Sequence, residues 1–322
     1  MYHPDENWQS LEVAYDLLYG EKSNLSPKHP GKVEILLSWE WYGFYALRNH
    51  LYPFWLSIPG QVFKILGCDT NFLVVNSMYL MHCVIWSFGD YFFYKLVKTL
   101  AGRKCAIFTM MINLTNQTVN RYISRTSANG IEGNLAIAAL YYYSKLNKPK
   151  IFDVGLQKMT LLISITFLCR SSSLAVWIPL ALMKIIEDYN WFLPILVAGM
   201  TVTVPACILS VLIDSYYYGV FTVPQINFVH VNVVENVSKY LGSDPYFFYI
   251  KGFRWEFCTV YAIGLFGLSL FTVHQVCGSL KSFNTKVEGA SRIPSILTFI
   301  VACLTVLSMV DHKELRFYAP VT

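Results

Sequence analysis

Charge is scarce in this sequence. Asp, Glu, Lys and Arg make up 14% of its 322 residues, against about 25% in a soluble domain. That shortage argues against the two or three soluble domains that the length alone would allow. Cysteines occur, but not in patterns. The eight, at 68, 83, 105, 169, 207, 258, 277 and 303, form no C-x-x-C pair and no metal-ligand spacing. Most sit inside apolar runs, where a thiol acts as a small buried hydrophobe. The formal charge is +5, yet the basic residues form no stripe, which sets nucleic-acid binding aside. No internal repeat or low-complexity linker is present, and no apolar segment precedes His3, so a signal peptide is not expected. The acidic N-terminal region holds no Asp-x-Asp motif and no His/Asp cluster, so neither a metal nor another cofactor is expected.

What fills the sequence is apolar: 55% hydrophobic residues, with 16% aromatic. Residues 72–97, 191–213, 257–273 and 293–310 are strong apolar runs, each near the roughly 17–25 residues that span a bilayer as a helix. Weaker stretches cover 105–120, 131–143, 159–169 and 174–186. Backbone groups in lipid must be satisfied internally, so helix is expected throughout. The expected fold is an all-α polytopic membrane protein. Residues 53–66 are short and contain Pro53 and Pro59; they read as a re-entrant or interfacial segment.

Short loops rich in Lys and Arg stay in the cytoplasm. Lys95, Lys98, Arg103 and Lys104 form one such group, Lys145, Lys148, Lys150 and Lys158 a second, and Lys281, Lys286 and Arg292 a third. With all three cytoplasmic, residues 1–71, 121–130, 170–173, 214–256 and 311–322 fall on the opposite face. The polar stretches "HPDE", "SRTSANGIEGN", "CRSSS", "GSDPYFFY" and "DHKELRF" then share that face. Seven of the twenty acids lie before residue 51. An acidic first loop would meet cationic helix ends at Arg121, Arg125, Arg170, Lys313 and Arg316, as if a base faced an anion clamp.

Each motif has a plain reading beside the functional one. Asp5 and Glu6 follow Pro4 and suit a first helical turn; they also suit a general base beside a membrane. Arg125 and Arg170 follow or precede apolar segments and can snorkel to headgroups; a guanidinium fork equally suits a phosphate. "DHKELRF" packs five ionisable residues into seven, as a solvated loop or as the mouth of a site. Asn24–Ser26, 113–115, 116–118 and 236–238 match N-glycosylation acceptors.

"HPDENWQSLEVAYDLLYG", "WEW" with "RNHLYP", "RTSANGIEGNLAIAALYYY", "CRSSSLAVWIPL", "PQINFVHVNVVENVS" and "HKELRFYAP" together resemble the dolichyl-phosphate-mannose-dependent α-mannosyltransferases, across the whole chain and in order. The resemblance implies a GT-C-type multi-spanning helical bundle with a large luminal first loop. That loop would be residues 1–71, and residues 72–322 the bundle, with a second luminal loop at 214–256. It implies membrane helices ahead of His3 and beyond Thr322 in the family pattern. It also implies an endoplasmic reticulum location with the site on the luminal face. Asp5 becomes the base, with Glu6 as neighbour or alternative. Lys313 and Arg316 become donor-phosphate ligands, supported by His312, Glu314 and His3, with Arg125 and Arg170 as further candidates for the anion. Trp8 and Gln9 fall beside the base, toward the acceptor.

The implied reaction is inverting transfer of mannose from dolichyl-phosphate-mannose in α-1,2 linkage onto the second mannose of the GPI-anchor precursor. Placing Trp at position 8 favours that third-mannose step over the fourth-mannose or N-glycan-precursor reactions of the same superfamily. A transporter or an inactive membrane scaffold is the alternative of another class. The sparse interior charge and lack of repeat symmetry speak against a transport path.

Overall fold

The computed structural model describes residues 7–20, 37–115 and 125–235, with isolated positions at 237, 245, 300, 301 and 305. Every regular element among them is helical. A π-helical turn, Asn7–Leu11, leads into α1 (Glu12–Tyr19); then come α2 (Leu51–Ile65), α3 (Asn71–Thr115), α4 (Ala128–Lys145), α5 (Val154–Cys169) and α6 (Leu174–Glu187). α7 (Tyr189–Tyr218) runs through a π-helical turn at Gly199–Thr203, and α8 (Pro224–Val229) follows. Among the described residues, α3 and α7 are long and apolar enough to cross a membrane, and α5 is a shorter apolar helix. The apolar runs 257–273 and 293–310 lie almost wholly outside the described residues.

α3 is a hairpin, not a rod. Gly102 takes φ 88°, a left-handed value that glycine adopts without steric cost. The Asn113 amide donates to Asp90 at 3.0 Å, although a straight helix would hold residues 23 positions apart by about 34 Å. The second arm therefore folds back on the first, and Lys98, Arg103 and Lys104 lie at the turn. The first arm runs parallel to α4: Gly89 meets Asn134, and Phe92 and Lys95 meet the Tyr141 ring at 5.3 and 5.6 Å. A Cβ on Gly89 would come within 2.0 Å of the Asn134 Oδ1. Gly89 makes this seam narrow, with Gly130 one turn before Asn134 on the same side of α4, since small residues let helices approach closely.

α2 fits the segment marked by its two prolines. Fifteen residues long, it reaches only about 22 Å, short of the ~30 Å hydrocarbon core. Tyr52, Leu56, Ser57 and Gly60 are buried, while Trp55, Val62 and Ile65 stay outside. α1 lies across it. Gly60 receives Leu18 so closely that a Cβ would stand 2.5 Å from the Leu18 Cδ1. The Lys64 ammonium donates to the Leu18 carbonyl and sits 4.9 Å above the Tyr19 ring.

The helix ends sort to two sides. On one, Lys184 of α6 lies over Tyr143 of α4 at 5.9 Å and over Trp191 at 5.4 Å. That side also holds the Gly102 turn and the basic α4–α5 connection. On the other, the beginning of α4, the ends of α5 and α7, and the loop before α2 meet, and the polar side chains gather there.

Candidate active site

Two buried polar clusters build that end. The first ties the loop before α2 to α7. Asp214, fully buried one turn before the α7 terminus, accepts from the His50 backbone N–H at 2.9 Å, the His50 Nδ1 at 2.9 Å, the Asn49 amide at 2.5 Å and the Ser210 hydroxyl at 3.2 Å. A carboxylate in an apolar bundle is costly unless donors surround it; four do so here. The His50 ring is also sandwiched, stacked on Tyr217 at 5.0 Å and edge-on to Trp41 at 5.0 Å. Its carboxylate partner fixes its orientation, and Asp214 is an anchor, saturated and closed to solvent.

The second cluster ties α4 to α5. Arg170, the residue that caps α5, forms an ion pair with Glu132 of α4. Both are almost entirely enclosed, with side-chain exposures of 10% and 5%. Ser127 caps α4 by accepting from the Gly130 N–H at 3.3 Å, which sets Glu132 one turn further in. Cys169 lies within electrostatic reach of both Glu132 and Asp214, so the two clusters are neighbours.

Outside α3 and α7, the Tyr19 hydroxyl donates to Asp69 at 2.8 Å. Burial, then the Asp69 carboxylate, pushes the Tyr19 phenol above its ordinary range. Burial also lowers the Lys64 ammonium, an effect Asp69 opposes.

Of the residues singled out by sequence, Trp8 and Gln9 lie on the π-helical turn, Trp8 with 44% of its surface open. Leu11, Ala14 and Leu18, which follow, bind the segment to α2 and α3. Arg125 stands two residues before the α4 cap, and its carbonyl accepts from the Ser127 N–H at 2.7 Å. Arg170 is brought to Glu132, a partner that sequence reading did not assign. His3, Asp5, Glu6, His312, Lys313, Glu314 and Arg316 lie outside the described residues. Glu132, Asp214 and His50 were missed as site-building residues. The available signal was an acid inside an apolar helix, a default functional pointer in membrane proteins. Among the described residues, no three His, Cys, Asp or Glu side chains gather to hold a metal.

Among the described residues the chain is a helical bundle with its buried charges collected at one end, and a family matches the sequence along its whole length. The description of the Alg9-like mannosyltransferase family fits residues 1–322, and the chain belongs to that family. Its relatives include the mannosyltransferase APTG1 of Arabidopsis thaliana, 24% identical over 321 residues, covering 99% of this chain and 52% of the relative. The GPI alpha-1,2-mannosyltransferase 3 of Bos taurus is 27% identical over 320 residues, with 99% and 52% covered. The GPI mannosyltransferase 3 of Candida albicans is 26% identical over 326 residues, with 99% and 57% covered. The chain thus spans about half the length of the curated relatives it matches. No solved structure matches it significantly.

Proposed function

We propose that the chain is an inverting glycosyltransferase of the GT-C kind, a polytopic bundle in the endoplasmic reticulum membrane acting on its luminal face. Its donor is dolichyl-phosphate-mannose. Its acceptor is the second mannose of the GPI-anchor precursor, and it adds the third mannose in α-1,2 linkage. The family match over every residue carries this reading. The gathering of polar clusters at one end of the bundle supports it, because a reaction at a membrane face needs its groups there.

The proton and electron movements follow from the linkage. Asp5, with Glu6 beside it, takes the proton of the acceptor 2-hydroxyl. That oxygen attacks C1 of the donor mannose from the face opposite the phosphate, and the C1–O bond breaks with its electron pair leaving on dolichyl phosphate. The β-linked donor so gives an α-linked product. Lys313 and Arg316, positioned by His312 and Glu314, stabilise the departing phosphate, with Arg125 and Arg170 as further candidates for the anion. His3 supports the base, and Trp8 and Gln9 receive the acceptor sugar. Charge stabilisation by fixed donors suffices for a phosphate leaving group, and the proposed site uses no metal.

The test is lipid analysis in cells lacking the enzyme of the third GPI mannose, complemented with this chain or with Asp5→Asn. The chain should clear the two-mannose intermediate, and Asp5→Asn should not. Losing a general base costs about 10²–10⁴-fold, while Asn caps a helix about as well as Asp. Accumulation of the intermediate despite good expression would reject the assignment. Rescue confined to cells lacking the fourth-mannose enzyme would move it to that step.

A further inference from the structure

The stretch "SWEWYGFYALRNH" folds into a short aromatic ledge whose rings the mechanism does not use. A 3-10 turn, Trp39–Trp41, is followed by a second turn in which the Ala46 N–H bonds the Tyr42 carbonyl at 2.8 Å. Trp41 drives inward to 5% exposure and stacks on Tyr218. With Trp41 as the peg, its neighbours Trp39, Tyr42 and Tyr45 face out, 39–51% exposed. Trp39 and Tyr45 meet edge to face, ring centres 5.2 Å apart at 87°. Between the strands of this loop, Arg48 grips Glu40 with two bonds, 2.9 and 3.3 Å, each side chain about one-fifth exposed.

The ledge is fastened from behind. The Tyr218 hydroxyl donates to the Arg48 carbonyl at 2.7 Å. The Asn227 amide donates to the carbonyls of Tyr45 and Ala46 at 3.1 and 3.3 Å. Ala46 is held at φ 42°, a left-handed conformation that non-glycine residues rarely adopt, and it is fully buried. A loop this fixed has already lost the entropy that binding would otherwise cost.

We propose that Trp39, Tyr45, Glu40 and Arg48 form a binding site for a mannose residue of the glycolipid acceptor, a reading that rests on the mannosyl-acceptor function above. One side of a pyranose presents C–H groups and packs on an aromatic face; its rim carries hydroxyls that need both donors and acceptors. Perpendicular rings offer the first, and a carboxylate gripped by a guanidinium offers both of the second within one fixed pair. A purely lipid-facing belt needs the rings but has no use for an ion pair held in the same loop. Phe44 and Phe221, 89% and 83% exposed, supply an apolar tip beside the ledge and are the residues suited to the lipid interface.

The test uses the full chain in lipid nanodiscs, with an α-linked dimannoside as probe and cellobiose as control, read by saturation-transfer NMR. The dimannoside should bind and cellobiose should not. Trp39→Ala and Glu40→Gln should each weaken dimannoside binding about tenfold, the loss of one good contact. Trp39→Phe, which keeps a ring, should recover most of it. In the transfer assay both weakening variants should raise the acceptor KM and leave the donor KM alone. Asp5→Asn should abolish transfer and still show dimannoside binding that depends on Trp39. Trp39-dependent binding without any transfer by the unaltered chain would keep the ledge and sink the transferase reading. Unchanged binding in Trp39→Ala, or no dimannoside binding at all, would overturn the ledge. So would a Trp39→Ala chain that binds sugar normally but loosens from liposomes on flotation, since its rings would then be membrane anchors.

Discussion

Among the described residues, two carboxylates are buried in an apolar bundle, and different chemistry compensates each. Asp214 is dissolved in hydrogen bonds from His50, Asn49 and Ser210; Glu132 is neutralised by Arg170. Removing one member of a buried pair leaves the other charge without compensation and costs about 3–5 kcal/mol, while replacing both with apolar residues is often neutral. Glu132→Ala should therefore unfold at markedly lower temperature in detergent, and Glu132→Met with Arg170→Met should restore most of the loss. The restored double variant separates two roles for Arg170. Near-normal transfer by it would confine Arg170 to structure; a raised donor KM in a stably folded protein would assign it to the phosphate as well. Equal melting of Glu132→Ala and the unaltered chain would contradict the pair's structural role. In the sequence only the arginine of "CRSSS", not the acid of "NGIEGNLAIAAL", stood out as a candidate. Their pairing did not, because 38 residues separate them and only the antiparallel packing of α4 on α5 joins them. His50 and Asp214, 164 positions apart, were hidden for the same reason.

At the scale of the element, apolar length and basic turns carried most of the information. The strong runs at 72–97 and 191–213 became α3 and α7 because a run of that length has no other way to satisfy its backbone in lipid. The basic group at 98–104 marked the point where α3 reverses. What periodicity could not show is which faces meet, since a helix apolar all round has no preferred side. The α3–α4 seam illustrates this. Its closeness depends on Gly89 facing Asn134, whose Cβ would lie 2.9 Å from a Cβ added at position 89. Rotating the amide relieves its oxygen but cannot move its Cβ, so the helices must separate. Gly89→Ala should lower stability by about 1–3 kcal/mol, the usual cost of overpacking, read as an earlier thermal transition. Adding Asn134→Ala should return part of it by removing the amide, and Asn134→Gly more. A Gly89→Ala chain as stable as the parent would mean the seam is looser than this geometry.

For the whole molecule, the structure and the charge pattern speak to the same question of sidedness. The Gly102 turn, the α4–α5 connection and Lys184 lie at one end; Glu132, Arg170, Asp214 and the aromatic ledge lie at the other. The motif residues that suggested the function, Asp5 through Glu6 and His312 through Arg316, were the most legible part of the sequence as a pattern. The meeting proposed for them is beyond what spacing alone can give, since 307 positions separate Asp5 from His312. Sidedness offers an independent check on that meeting. Basic short loops stay cytoplasmic, so glycosylation acceptors introduced at residues 98–104 or 281–292 should remain bare, and those at 21–34 or 214–256 should be modified. The native acceptor at Asn113 is uninformative here, because its amide is bound to Asp90 within the hairpin. An intact reporter glycan at 98–104 would turn the bundle over. Asp5, on the end opposite the Gly102 turn by the charge parity, would then face the cytoplasm, and a luminal transfer reaction would lose its base.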